Sequence, residues 1–356
     1  MASEPLTLEA TKSAVRVRFA SLRLQLSRRE SQILLVVAVV IGALAGLAVV
    51  AFILLTERLG ARIYPPGVSA TRRVLGPILG SLSMGYLLAR FFRDARGNGV
   101  IQTKNAFYSP DGRITFHSIA GKFICTSVTL ASGIPLGPEG PSVAVGAGIA
   151  SIIGRKLGLS SDKVRALIPI GATAAIAAAF NTPIAAVLFS LEEIIGDLNA
   201  PVLGSVVLAS ATAWMVLRLF LGNNPIFHVP QYELVHPLEF AVYAVLGVAG
   251  GIVSGVFIGA TMWLRAKFKL LPAKTLWLQP LAGGIVVGLA GWLVPEVLGV
   301  GYVHISALLA GNMAIRLAAT LVILKVITVA VSSASGNAGG IFAPTLFMGA
   351  DRKSVV

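Results

Sequence analysis

The chain has 356 residues, of which 56% are hydrophobic and 12% are charged, and its formal net charge at pH 7 is +14. A soluble globular domain carries about 25% charged residues, so the composition excludes a typical soluble domain and indicates a polytopic membrane protein. Because Lys and Arg collect in the cytoplasmic loops of such proteins, the positive charge does not indicate a nucleic-acid partner.

The first 31 residues form a basic segment that precedes the first apolar run. We predict that this segment, residues 1–31, lies in the cytoplasm, since positively charged flanks stay on that side. Residues 32–56 contain no charged side chain and are long enough to cross a bilayer as a helix. They are too long for a cleaved signal peptide, so we expect an integral protein of the cell (inner or plasma) membrane.

The chain resembles itself at an offset of about 203 residues. The matched positions keep their order, which chance matches between glycine-rich helices do not. The matches are Gly42, Gly46 and Phe52 with Gly247, Gly251 and Phe257; Pro77, Gly80 and Gly85 with Pro280, Gly283 and Gly288; Gly97 and Gly99 with Gly299 and Gly301; Lys122 with Lys325; Ala131-Ser132-Gly133 with Ala334-Ser335-Gly336; and Gly137 and Pro141 with Gly340 and Pro344. We therefore predict an all-α fold of two inverted-topology repeats, residues 32–237 and 238–350.

Three clusters of Gly and Pro interrupt the hydrophobic pattern, at residues 97–101, 137–141 and 339–344. In membrane proteins built from repeats, broken helices meet near the midplane and direct their N-termini at the substrate. The unpaired N–H groups and the dipole of a helix N-terminus favour an anion. The pattern therefore predicts a small-anion site where these helix ends meet.

Glu139 lies inside the second of these clusters, in the run Gly137-Pro138-Glu139-Gly140-Pro141. A carboxylate at the depth of a bilayer costs several kcal/mol, and such residues usually face a cavity or an ion path. The alternative is a loop glutamate beside the start of a helix, where the dipole favours it. The repeat gives Glu139 a counterpart at Phe342.

The second half of the chain stops soon after Pro344, whereas the first half continues from Pro141 to about Pro230. Residues 351–356 form an atypical charged end after an apolar segment that has only begun. We expect the sequence to be a fragment or to carry a foreign end. A genuine short variant is the alternative.

Four motifs together resemble the CLC family of chloride channels and chloride/proton antiporters. Residues 137–141 are similar to the family motif GREGP, with Pro138 in place of the usual Arg or Lys. Residues 340–344 match the motif GxFxP, and residues 179–183 and 188–193 match the stretch that leads to an inner glutamate. The resemblance extends from the first apolar run to the end of the second half. It implies the CLC fold of tilted and broken helices.

The resemblance places the selectivity loop at residues 97–101, where Asn98 holds the position of the family's central serine. The run at Ser132 reads like the selectivity motif GSGIP, but it stands directly before the gate region, so we assign Ser132 to a helix-end turn. An amide offers donors and an acceptor, where a hydroxyl offers one donor. This departure bears on which anion is preferred, and the resemblance implies chloride or a related small anion as the substrate.

The resemblance implies that backbone N–H groups at the helix starts coordinate the anion. The implied anion-binding residues are Gly97, Asn98, Gly99, Gly137, Gly140, Gly340, Ile341 and Phe342. In the family the gate glutamate occupies an anion site when ionised and swings away when protonated, so Glu139 would couple protons to the anion. No metal or other cofactor is implied, and four scattered histidines with one cysteine show no metal-ligand spacing.

Glu193 matches the family's inner proton-transfer glutamate, whose presence favours an antiporter over a passive channel. A carboxylate exposed at a helix end is the alternative interpretation of Glu193, and a passive anion channel of the same fold is the alternative function. An enzyme is not expected, since neither HExxH nor GxSxG occurs. The family's homodimer, with one pore per subunit, implies an interface within residues 185–220.

Two further patterns predict structural features and no part in transport. Four glycines from Gly247 to Gly259 recur every four residues on one helix face and predict close helix packing, as do Gly42 and Gly46. His304, which follows Tyr302 after the second-half turn, is predicted to be a surface loop histidine.

Overall fold

The computed structural model of the chain describes residues 5–197, 201–223, 227 and 236–350. The predicted atypical end, 351–356, and the first four residues of the basic segment lie outside them. The described residues form thirteen α-helices, which are α1 (Pro5–Ile63), α2 (Ala70–Arg90), α3 (Gly99–Tyr108), α4 (Phe116–Ala131), α5 (Glu139–Lys156), α6 (Ser161–Phe180), α7 (Pro183–Phe189), α8 (Leu203–Leu221), α9 (Glu239–Lys269), α10 (Gln279–Leu293), α11 (Tyr302–Leu309), α12 (Ile315–Ser335) and α13 (Phe342–Ala350). A π-helical segment, Ser190–Ile195, continues α7.

Five helical stretches are long and apolar enough to cross a membrane, namely Gln32–Ile63 of α1 and the helices α6, α8, α9 and α12. Many of their large apolar side chains are exposed, as expected for surfaces that face lipid rather than water. The predicted all-α polytopic membrane architecture is thus confirmed.

Small residues let the helices of the first repeat approach closely. A Cβ added at Gly42 would lie 2.6 Å from the carbonyl oxygen of Ala209, and one at Gly46 would lie 3.0 Å from Cα of Ala213, so α1 and α8 touch through backbone. This contact confirms the predicted packing role of Gly42 and Gly46. Such close approach stabilises membrane helices through van der Waals contact, because lipid provides no hydrophobic drive between them.

The two repeats use the same device to fix their central turns. The ammonium group of Lys122 on α4 donates to the carbonyl of Gly97, and that of Lys325 on α12 donates to the carbonyl of Gly299 at 2.6 Å. Both lysines are buried, with 2% and 0% exposure. Residues that correspond in the sequence repeat therefore make equivalent contacts in the structure. The boundaries at 32–237 and 238–350 stay predictions.

The glycine stripe of α9 behaves differently. Within the described part of the chain, no atom beyond the helix itself lies within 4 Å of a Cβ added at any of the four glycines from Gly247 to Gly259. The close helix packing predicted for this stripe is therefore wrong for these residues. The repeat relation explains the contrast: the counterpart glycines on α1 pack against α8, and no described helix takes the place of α8 beside α9.

Candidate functional site

The first helix start at the site belongs to α3. Gly97 has φ +103°, a conformation that favours glycine, and it turns the chain into the helix. Asn98 follows as the N-cap, and its Oδ1 accepts a hydrogen bond of 2.9 Å from the N–H of Val100. Since Oδ1 serves the helix end, the amide group of Asn98 offers its Nδ2 donors to a ligand. The predicted break at residues 97–101 thus produces a capped helix N-terminus.

The starts of α5 and α13 are joined by a pair of backbone hydrogen bonds. The N–H of Gly137 donates to the carbonyl of Gly340 at 2.7 Å, and the N–H of Gly340 donates back to Gly137 at 2.7 Å. Glu139 and Phe342, which are counterparts in the repeat, are the first residues of the two helices. The N–H groups of Gly137 and Gly340 are already used in these two hydrogen bonds. An anion therefore has to bind the N–H groups that follow them in the chain.

Glycine also brings α3 against α5. A Cβ at Gly99 would collide with the carbonyl oxygen of Gly140, whereas a Cβ at Gly140 would find its nearest neighbour, Cα of Gly340, at 3.5 Å. The first turns of α3, α5 and α13 therefore meet at one place. Each contributes the unpaired N–H groups of a helix start and the positive end of a helix dipole, which together favour negative charge.

The carboxylate of Glu139 lies at this meeting point and is 2% exposed. Its Oε1 accepts a hydrogen bond of 2.5 Å from the hydroxyl of Tyr302, at the start of α11. Its Oε2 has no hydrogen-bond partner among the described residues and lies beside Gly137, 3.6 Å from the Cβ position of Gly340. Tyr302 is a contact that the sequence interpretation missed, and His304 lies on α11 and is partly buried rather than in a surface loop.

A cavity of about 320 Å³ opens beside Glu139. It brings together six of the predicted site residues, and its lining includes Asn98, Glu139, Gly140, Gly340, Ile341 and Phe342. The ring of Phe342 stands edge-on to the rings of Phe180 and Phe189, with centroid distances of 5.0 and 6.1 Å. The wall away from the helix starts is thus apolar, so an ion in the cavity depends on the helix starts for its polar contacts.

A second cavity, of about 640 Å³, shares Asn98 and Ile341 with the first. Its lining carries three cationic side chains, Arg96, Arg265 and Lys269. Arg96 donates to the carbonyl of Leu276 at 3.2 Å and Arg265 to the hydroxyl of Ser333 at 3.1 Å. A cleft lined by one sign of charge concentrates counter-ions, so this cavity is suited to collect anions next to Asn98 and Ile341, the residues it shares with the first cavity.

Glu193 lies apart from both cavities. It belongs to the π-helical segment, its side chain is 51% exposed, and Oε1 pairs with Nζ of Lys104 at 3.3 Å. The structure therefore does not bring Glu193 into contact with Glu139. Phe189, one turn before Glu193, does line the first cavity, so the segment that carries Glu193 starts at the cavity wall.

Ser132 is the C-cap of α4, as predicted for a helix-end turn. Its carbonyl accepts a hydrogen bond of 2.6 Å from the hydroxyl of Tyr64, and its own hydroxyl bonds the carbonyl of Thr129 at 2.7 Å. The polar groups of Ser132 are thus used within the fold, and Ser132 lines neither of the two cavities at the helix starts.

A family model described as voltage gated chloride channel matches residues 80–351. The chain belongs to the CLC family. The resemblance drawn from the four motifs is thus confirmed.

Relatives of this CLC chain carry two kinds of name. The putative chloride channel protein ClcB-like of Ralstonia nicotianae is 31% identical in an alignment of 285 positions that covers 78% of this chain and 66% of that protein. The H(+)/Cl(-) exchange transporter ClcA of Salmonella arizonae is 31% identical in an alignment of 365 positions that covers 98% of this chain and 77% of that protein. The chain thus spans between 66% and 77% of these two relatives' length.

Two solved structures share the fold. A CLC-type fluoride/proton antiporter is 25% identical with a TM-score of 0.78, over 90% of this chain and 79% of that chain. A slow cyanobacterial Cl-/H+ antiporter is 20% identical with a TM-score of 0.79, over 88% of this chain and 76% of that chain.

Proposed function

We propose that this protein exchanges chloride, or a related small anion, for protons across a membrane, with Glu139 as the gate that both ions share. The observation that carries the proposal is the buried Glu139 carboxylate, which lies where three helix N-termini converge. Such a place favours a negative charge, whether it belongs to the side chain or to an anion.

The coupling follows from competition for that place. When Glu139 is ionised, its carboxylate fills the position beside the helix starts and excludes an anion of like charge. When a proton neutralises the carboxyl group, the helix starts lose their negative partner, and an anion from the adjoining cavity replaces it. Because the anion site is built from backbone and amide donors rather than a full cation, the anion is bound weakly enough to leave.

The anion is a small halide in this proposal, and Asn98 supports that choice. Its Oδ1 caps α3, which leaves the Nδ2 donors for the ion. The ClcA relative is named for chloride, and one of the similar structures is described as a fluoride/proton antiporter. Chloride is the first substrate to test and fluoride the second.

Glu193 is proposed as the acid that receives protons on the inner side. Its half-exposed carboxylate is open to solvent, which a proton-accepting group requires. The segment that carries Glu193 follows Phe189, which lies on the cavity wall. In this proposal, water carries protons between Glu193 and the cavity beside Glu139.

The protein is proposed to lie in the cell membrane with its N-terminus in the cytoplasm, since basic flanks stay inside. It is proposed to form a homodimer through residues 185–220. A passive anion channel is the second candidate function, because the ClcB relatives are named as channels.

Flux measurements in liposomes test the proposal. A chloride gradient is expected to drive protons uphill in the opposite direction, and Glu139→Gln is expected to abolish proton movement while anion movement continues. The matched control is Glu57→Gln, an exposed glutamate on α1 that should leave both fluxes unchanged. A gradient that moves chloride but no protons would support the channel instead, and coupling that persists in Glu139→Gln would refute the gate.

A further inference from the structure

We propose that Tyr302 is a positioning residue for the gate: its hydroxyl holds the ionised Glu139 carboxylate among the helix starts and so sets the pH at which the anion path opens. This rests on the proposed function for its consequence in transport, but the hydrogen bond itself can be tested without transport. Nothing in the sequence motifs points to Tyr302, which stands 163 residues from Glu139 and belongs to the other repeat.

The contact is specific in its chemistry. The phenolic O–H donates to Oε1 of Glu139 at 2.5 Å, and an ionised carboxylate is an acceptor only. A hydrogen bond to a charged group is roughly twice as strong as one between neutral groups. The bond therefore favours the ionised carboxylate in this position over the protonated form that leaves it.

The surroundings of Tyr302 fix its hydroxyl in place. Gly301 precedes it with φ +92°, and the carbonyl of Gly299 is held at 2.6 Å by the ammonium group of Lys325. The aromatic ring of Tyr302 packs edge-on against Phe227, with centroids 5.6 Å apart. A side chain held by a turn and a neighbouring ring loses little further freedom when it donates, so the bond is preorganised.

The backbone N–H groups of Glu139 and Ala343 also face the carboxylate, but the side chain that donates to it in the described part of the chain is that of Tyr302. Among the described residues of the elements packed there, α3 and α13 present Asn98, Ile341 and Phe342, none of which titrates. The buried cations of α4 and α12, Lys122 and Lys325, donate to the carbonyls of Gly97 and Gly299 instead. Tyr302 is thus the titratable partner that this part of the structure gives to the Glu139 carboxylate.

The direction of the effect follows from which form the bond favours. Without the hydroxyl, protonation of Glu139 requires fewer protons in solution, so the gate leaves the anion position at a higher pH. We expect Tyr302→Phe to move the midpoint of the pH profile of anion flux upward by about one pH unit, a tenfold change in the ionisation equilibrium.

The first measurement is flux in liposomes across a pH series, with Tyr108→Phe as the matched control. Tyr108 also donates its hydroxyl to an oxygen, the carbonyl of Ile195 at 2.9 Å, but away from the gate. The midpoint should move in Tyr302→Phe and stay in Tyr108→Phe. In a Glu139→Gln background, removal of the Tyr302 hydroxyl should change nothing; an equal shift there would mean a general structural effect and would overturn the proposal.

The second measurement does not depend on transport. The infrared band of the protonated Glu139 carboxyl, identified by its absence in Glu139→Gln, is titrated in detergent for the wild type and Tyr302→Phe. If coupled flux is absent while the titration midpoint still shifts, the proposed function fails and the positioning role stands. An unchanged midpoint overturns the role of Tyr302. Should Tyr302→Phe not fold, a fluorinated tyrosine at 302 supplies a stronger donor, and the midpoint should then fall.

Discussion

Among the described residues, three acidic or basic side chains are buried in the interior, those of Glu139, Lys122 and Lys325. Burial of a charge is costly unless the group is paired or hydrogen-bonded. The two lysines each donate to a glycine carbonyl, whereas the carboxylate has one oxygen bonded to a side chain and one without a side-chain partner among the described residues. This difference separates the roles: the two lysines hold turns, whereas one oxygen of the carboxylate remains available to accept a proton.

Variants of Glu193 and of its partner Lys104 can show whether Glu193 transfers protons or only forms a surface ion pair. The pair with Lys104 is exposed on both sides, and such pairs contribute about 0–1 kcal/mol, so neither Glu193→Gln nor Lys104→Gln should lower the unfolding midpoint appreciably. If Glu193 transfers protons, Glu193→Gln should slow proton flux by about tenfold or more, and Lys104→Gln should not. Equal proton fluxes in the two variants would contradict a role of Glu193 in proton transfer.

At the scale of the elements, the sequence predicted where helices begin but not which side chains meet. The breaks at residues 97–101, 137–141 and 339–344 each contain a helix start, because glycine and proline interrupt helical hydrogen bonding and permit a turn. The contact of Tyr302 with Glu139 joins residues far apart in the chain, and no local pattern encodes it. The repeat matched Lys122 with Lys325. Only the fold shows that each of them donates to a glycine carbonyl, that of Gly97 or that of Gly299.

The meeting of α3 and α5 gives a stability test with a close control. Gly99→Ala places a methyl group against the carbonyl of Gly140, so the two helix starts have to separate. Overpacking of this kind costs about 1–3 kcal/mol, and the unfolding midpoint in detergent should fall. Gly140→Ala, in the first turn of the facing helix, has its nearest neighbour at 3.5 Å and should keep the midpoint near that of the wild type. Equal midpoints for the two alanine variants would show that the helix starts do not touch as described.

At the scale of the whole molecule, the assembly prediction rests on α8. Four exposed apolar side chains of this helix are separated by four or eight residues and so lie on one face, namely Leu203, Val207, Met215 and Leu219. Exposed apolar residues on a membrane helix face either lipid or another subunit, and these four lie inside the predicted interface, residues 185–220. The sequence could not choose between these environments, because both favour the same side chains.

Cross-linking in membranes can decide between lipid and a second subunit. The one native cysteine, Cys125, is buried, so a new surface cysteine reacts selectively. Leu219→Cys, at a position 80% exposed, is expected to give a covalent dimer with a short bifunctional thiol reagent. Val248→Cys on α9, 66% exposed but outside the predicted interface, should remain monomeric. Equal dimer yields from both variants would contradict an interface on α8.

The paired hydrogen bonds between Gly137 and Gly340 fasten one repeat to the other at the ion path itself. A transporter that opens alternately to each side by rocking its halves would have to stretch both bonds at every turnover. We expect this joint to stay closed during exchange, since the proposed gate needs only the rotation of one carboxylate to change which ion occupies the path. The protein should therefore work as a rigid body with a single moving part, and a covalent tie between its two halves should leave ion exchange running.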